Sequence, residues 1–194
     1  AMKLCILLSD EFKVTVKTGD IHDNNTIEKL EKYIMLAPKL RTYEKREVYP
    51  LTGSQKGIFA ECSKNPDSTV YNIPFLFELE NAIDEQKLAD ALTKMVNAHS
   101  YLLTKVYLNS DGEMVQSPGE DKFIPKIIKT TNSEFEALKE NLVRPFKLEK
   151  GRLFRAEIYL TEDKKYLFTD FHHIIADGNS YDIIFEDINK AYCG

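Results

Sequence analysis

Apolar residues recur at helical spacing from the start of the chain. Leu4, Leu7, Leu8 and Phe12 share one face of a helix predicted over residues 2–12. Thr26 can cap a second helix, on which Ile27, Leu30, Tyr33 and Ile34 form one stripe before Pro38 ends it. The stretch between them, KVTVKTGDIHDNN, reads as a loop anchored by Val14, Val16 and Ile21. Residues 1–37 thus form a short helical piece, and chains below ~40 residues rarely bury a self-sufficient core. The piece is expected to lean on further structure, upstream or downstream. Residues 38–48 are charged and poorly periodic, which marks a linker.

The pattern changes after the linker, and the main domain is placed at 49–194. A helix is expected from Gly53 and Ser54 through Ala60, then a strand from Thr69 to Leu79. Asp84 can cap a helix with Leu88, Ala91, Leu92 and Met95 on one face. Two strands follow, joined by the Asn109-Ser110-Asp111-Gly112 turn, and a further strand lies near Ile124 to Ile128. Ser133 is read as opening a helix that runs to about Leu142. Leu153 to Leu160 and Tyr166 to Ile174 then make an antiparallel pair. Tyr181, Ile184, Phe185, Ile188 and Tyr192 line a closing helix. Strands and helices interleave without strict alternation, so the predicted class is α+β, a mixed β-sheet with flanking helices.

Composition narrows the function classes. The 194 residues are 43% hydrophobic and 29% charged, with 26 Lys and Arg against 31 Asp and Glu, a net charge of −5. No apolar run reaches the ~18 residues of a spanning helix, and Asp10 and Glu11 come too early for a secretory signal. A cytoplasmic location is expected, with no membrane partner. Basic and acidic residues are mixed, as in KLRTYEKRE, so no single-sign surface invites nucleic acid. Cys5, Cys62 and Cys193 have no CxxC spacing and read as reduced thiols, giving neither a disulfide framework nor a metal site.

Chemistry concentrates in Phe171-His172-His173-Ile174-Ile175-Ala176-Asp177-Gly178, between a β-prone strand and a well-formed helix. Successive side chains on a strand point to opposite faces, so one histidine faces the protein body and the other a cleft. Alternation puts Tyr166, Phe168 and Asp170 with His172, and Leu167, Thr169 and Phe171 with His173, without deciding which face is which. Asp177 can hold the loop or pair with a cation, and Gly178 relieves steric limits at the turn. Adjacent histidines alone are more often hydrogen-bonded fillers than a site. Asp177-Gly178 at fixed spacing, on a strand-to-helix turn, shifts that balance.

The stretch HHIIADG resembles the HHxxxDG motif of nonribosomal peptide synthetase condensation domains, whose superfamily includes chloramphenicol acetyltransferase-like acyltransferases. YPLTGSQKGIF, with Gln55 at its glutamine, is similar to their opening motif, and NAHSYLLT, with His99 at its histidine, to RHExLRT. Phe146 and Leu148 in RPFKLEKGRLFRAEI resemble the lead-in to the catalytic strand. The resemblance covers residues 49–194 and implies a chloramphenicol acetyltransferase-like single lobe, the N-terminal half of a two-lobed domain. Leu103 departs from it, standing where the family usually has an arginine that serves as ion partner of the motif aspartate. Asp177 would then need another cation, with Arg155 one candidate, or backbone donors. LSDEFKVTVKTGDIHDNNTIEKLEKYI resembles the second half of a peptidyl carrier domain, whose phosphopantetheine-bearing serine would lie before Ala1; Ser9 does not replace it. An unrelated two-helix extension is the alternative.

The resemblance implies acyl transfer, in which a carrier-bound amine attacks a carrier-bound acyl thioester. His173 is the expected catalytic imidazole, His172 and Asp177 its supports, and Gly178 offers backbone near the reacting centre. His99 is expected to pack. Expected partners are donor and acceptor peptidyl carrier domains and the C-terminal lobe of the same domain. The 4'-phosphopantetheine arms come from the carriers, and neither cofactor nor metal is bound by this chain itself. A single lobe would lack half the channel and be inactive alone. Rival readings are an epimerization domain lobe, a stand-alone acyl-CoA-dependent acyltransferase and a non-catalytic carrier-docking lobe. Heterocyclization domains carry aspartates where this chain has histidines.

Overall fold

The computed structural model describes residues 2–40, 46–119 and 122–194. The linker placed at 38–48 therefore lies partly outside the described residues. The chain divides into two compact units, Ala1–Arg46 and Glu47–Gly194.

The first unit holds helices α1 (Met2–Phe12), α2 (Thr18–Asp23) and α3 (Ile27–Leu36). The segment read as a loop contains α2, a single short helix whose Asp20 carboxylate accepts from the Lys17 N–H. Val14 and Val16 are buried, as their anchoring role requires, and Thr26 caps α3 by accepting from the Lys29 N–H. The apolar stripes are another matter. Leu4, Leu7 and Phe12 of the α1 stripe and Ile27 of the α3 stripe are exposed, Leu8, Leu30, Tyr33 and Ile34 are half-buried, and Cys5 is the buried residue of α1. This unit leaves part of its hydrophobic faces uncovered.

The second unit runs β1 (Tyr49–Pro50), α4 (Gly53–Lys64), β2 (Asn72–Leu79), α5 (Glu85–Ala98), β3 (Lys105–Leu108) and β4 (Met114–Ser117). It continues with β5 (Lys126–Lys129), α6 (Asn132–Lys139), β6 (Phe154–Leu160), β7 (Lys165–His172) and α7 (Gly178–Cys193). Four strands form one sheet in the order β2-β7-β6-β5. The β7 strand is antiparallel to both neighbours while β5 runs parallel to β6, so the sheet is mixed. A smaller sheet, β1-β4-β3, adds the Tyr49–Pro50 strand to the expected hairpin. The helix read as opening at Ser133 starts one residue earlier, because Thr131 caps it and Glu134 completes the capping box.

Both faces of the larger sheet are covered. Leu92, Val96, Ile184 and Ile188 of α5 and α7 pack on Phe154, Ile158, Leu167 and Phe171. Phe135 of α6 packs with Tyr159, Tyr166 and Phe168 on the other face. This explains why β7 is buried along nearly its whole length, and why its sequence reads as a continuous apolar run. A third cluster, including Leu51, Phe59, Val106, Leu153 and Ile174, joins α4 and the small sheet to the turn after β7. That turn carries the histidine pair.

Candidate active site

The two histidines part company at the end of β7. His172 is the last residue of the strand and only 4% exposed, on the face of Phe168 and Asp170 as alternation requires. His173 lies one residue past the strand, in the turn to α7, and is exposed. It therefore does not continue the face of Leu167, Thr169 and Phe171. The turn aims it instead.

Hydrogen bonds assign each ring its tautomer. The Ile174 N–H donates to His172 Nδ1 at 3.1 Å, so that nitrogen carries the lone pair and Nε2 carries the proton. His172 Nε2–H then points at Cys62 Sγ, 3.6 Å away. His173 is the reverse. Its Nδ1 lies 3.0 Å from the Ala176 carbonyl, which can only accept, so Nδ1 is the donor and the lone pair of the neutral ring falls on Nε2. Adjacent imidazoles are thus held by opposite nitrogens, His172 accepting at Nδ1 and His173 donating from Nδ1.

Their surroundings separate them further. Burial, with the neighbouring His173 ring, pushes the His172 pKa down to about 4, so it stays neutral at physiological pH. Tyr71 and Phe146 flank its ring, the latter edge-to-face at 5.8 Å and 87°. Burial and the nearby Glu61 push the Cys62 thiol up, which argues against a thiolate nucleophile beside His172. His173 borders a separate open cleft of about 430 Å³ with Thr52, Gln55, Ile58, Asp177 and Ser180.

The turn itself is tied down from two sides. Gln55 closes the capping box of α4 with Thr52, and its side-chain amide donates to the Ile174 carbonyl at 3.1 Å. Asp177 is the N-cap of α7, accepting from the Ser180 N–H at 3.2 Å and the Ser180 hydroxyl at 2.8 Å. The carboxylate thus holds backbone, one of the two roles open to it in the sequence. The other candidate fails, since Arg155 turns to Asp170, its directly opposite cross-strand neighbour, at 3.7 Å. Leu103, at the position of the family's arginine, is buried in the main core.

Gly178 opens α7 with an ordinary backbone conformation, and a Cβ added there would meet nothing within 4 Å. Steric relief at the turn is therefore not what this lobe needs it for. His99 packs as expected, and also bonds Asp187 of α7 through Nε2 at 2.8 Å, joining the end of α5 to α7. Sequence reasoning missed Cys62, Asp187 and the Arg155–Asp170 pair. Only the cross-strand register, which needs the partner strand's alignment, would have shown the last of these. No group of three or more metal-ligating side chains occurs among the described residues.

The Condensation domain family matches residues 45–194, most of the chain, including every site residue above. The chain belongs to the condensation-domain family. One of the plipastatin synthase proteins of Bacillus subtilis is 36% identical over 153 residues, 78% of this chain and 6% of that protein. Bacitracin synthase 3 of Bacillus licheniformis is 29% identical over 201 residues, 100% of this chain and 3% of that protein. The fold of this condensation-family lobe matches that of the starter condensation domain of rhizomide synthetase with a TM-score of 0.67 at 21% identity. The match covers 76% of this chain and 37% of that one. The chain thus spans a few per cent of these large synthases and little more than a third of a solved condensation domain. No helix among the described residues is long and apolar enough to cross a membrane.

Proposed function

We propose that this lobe supplies the catalytic imidazole for amide-bond formation between two carrier-bound substrates. The observation that carries the reading is the tautomer of His173, whose Nδ1–H is committed to the Ala176 carbonyl. His173 lines the cleft beside α4 and the N-terminus of α7, and its Nε2 is the nitrogen left for a substrate. A thioester is already activated, so the reaction chiefly needs an amine held in line and relieved of a proton as it attacks. The amine nitrogen bonds the acyl carbon as His173 Nε2 takes the amine proton, the carbon–sulfur bond breaks, and the departing thiolate recovers that proton from His173 to leave as thiol. His172 and Asp177 set the geometry of the turn, and Gly178 leaves room beside it.

The substrates arrive on 4'-phosphopantetheine arms of donor and acceptor carrier domains, and the cleft is completed by a second lobe. A variant of the rhizomide synthetase starter domain was solved with C8-CoA and Leu-SNAC, an acyl thioester and an aminoacyl thioester, which supports this pairing of reactants. The same structure keeps an acyl-CoA donor as the second reading. We also assign the Ala1–Arg46 unit to the second half of a carrier domain. Its exposed Leu4, Leu7, Ile27 and Leu36 fit helices that pack against more chain, and Ser9 Oγ is occupied accepting from the Val16 N–H.

The test is dipeptide formation from loaded donor and acceptor carriers, by a polypeptide in which this lobe is joined to its second lobe. His173→Ala should lower the rate by about 10²-fold or more, the range of general acid–base catalysis. Wild-type rates in that variant would remove His173 from the chemistry, and transfer only from acyl-CoA would favour the second reading. The 194-residue chain alone should form no dipeptide.

A further inference from the structure

The buried side of the histidine pair is backed by a charged layer that the reaction does not touch. Asp170 is fully buried in the middle of the sheet, and a carboxylate there requires partners. Two side chains approach one of its oxygens, Oδ2. Asn72 donates to Asp170 Oδ2 at 2.7 Å, and the Arg155 guanidinium lies 3.7 Å from the same oxygen. Each partner also holds the segment that precedes Phe146. Asn72 Nδ2 donates to the Arg144 carbonyl at 2.9 Å, and Arg155 Nη2 donates to the Pro145 carbonyl at 3.2 Å. The Arg155 guanidinium then lies 3.9 Å over the Phe146 ring, and the same ring packs edge-to-face on His172. The contacts form one continuous line, Asp170 to Arg155 to Phe146 to His172, ending at the Ile174 N–H that His172 accepts.

We propose that Arg155 is a positioning residue for the catalytic turn, acting through Phe146 to hold the His172 ring at the angle that accepts the Ile174 N–H. The proposal rests on the reading of His173 as the reacting imidazole. An apolar side chain could cover Phe146 more cheaply than a buried ion pair, which stabilises little by itself. A guanidinium does what an aliphatic chain cannot. It lies over the ring while donating to the Pro145 carbonyl and staying within ion-pair distance of Asp170. The plane of Phe146 is thereby set, and with it the tilt of His172. A lysine would keep the charge and lose the plane.

The experiment uses the 194-residue chain with ¹⁵N-labelled imidazoles, and NMR reads the tautomer of His172. Wild type should show the Nε2–H form in large excess. Arg155→Lys retains a cation for Asp170, so its urea midpoint should stay close to wild type while the Nε2–H excess of His172 falls several-fold. The double variant Arg155→Met/Asp170→Asn removes both charges, leaves no unpaired ion, and should show the same loss. Displaced His172 signals in either folded variant support the proposal; signals matching wild type in both overturn it. In the two-lobed polypeptide, Arg155→Lys should lower kcat about tenfold with KM within about twofold, as a misaligned catalytic group does. The imidazole signals decide the positioning role even if no amide-forming activity is found, so the two readings fail separately.

Discussion

At the scale of single residues, His172 and Asp170 share one face of β7 and are perturbed in opposite directions. Burial pulls the His172 pKa from 6.5 to about 4 and lifts that of Asp170 from 3.8 to about 6, with Asn72 and Arg155 opposing the latter. The lowered His172 value contributes stability that is fully present above pH 6.5 and lost as pH falls towards 4. The raised Asp170 value contributes stability that is present below 3.8 and lost as pH rises through about 6. Each shift is on the order of 3 kcal/mol, and across the shared window the two slopes oppose. Wild type should therefore show a shallow dependence from this pair. Asp170→Asn should expose the His172 slope, making the chain lose urea resistance faster than wild type between pH 6.5 and 4.5. His172→Asn should do the reverse, and parallel curves for all three proteins would mean that these shifts are absent. The motif histidines and Asp177 are legible as a site because local spacing carries them. Asp170 and Arg155 are not. Their pairing depends on the register of β6 against β7, and alternation along a strand buried on both faces cannot reveal it.

Among the elements, caps decide where the site turn sits. Asp177 and Ser180 start α7, and Thr52 with Gln55 starts α4, so the turn between His173 and Ala176 hangs between two capped helix ends. Asp177→Ala should cost about 1 kcal/mol in urea denaturation while Asp177→Ser keeps most of the stability, as N-cap substitutions do. A larger loss shared by both variants would point to charge rather than capping. Capping signals of this kind are readable at Thr26 and Asp84, where a single polar residue precedes an apolar stripe. They mislead at α6, where Thr131, Asn132 and Ser133 all qualify and Glu134, three residues after Thr131, selects the first. Gly151 is a sharper constraint. It has φ +73°, and a Cβ there would lie 2.9 Å from the Leu103 carbonyl oxygen. Gly151→Ala should destabilise the lobe by roughly 1–3 kcal/mol, seen as a lower thermal midpoint.

Across the whole molecule, the two units differ in how far each satisfies itself. Residues 47–194 have clusters on both faces of the main sheet and a third beneath the turn after β7, all drawn from their own side chains. Expressed alone, that segment should give a dispersed amide spectrum and a single cooperative urea transition; a collapsed spectrum would contradict it. The first unit leaves much of its apolar surface uncovered, which the periodicity of α1 and α3 cannot disclose, since a stripe looks the same whether or not its partner is present. Gly178 poses a similar question at the start of α7. Replacing it by alanine fills no occupied space and should raise the thermal midpoint slightly, because the unfolded chain loses freedom. A position that folding would willingly surrender is thus kept bare at the first residue of α7, directly after the Asp177 cap.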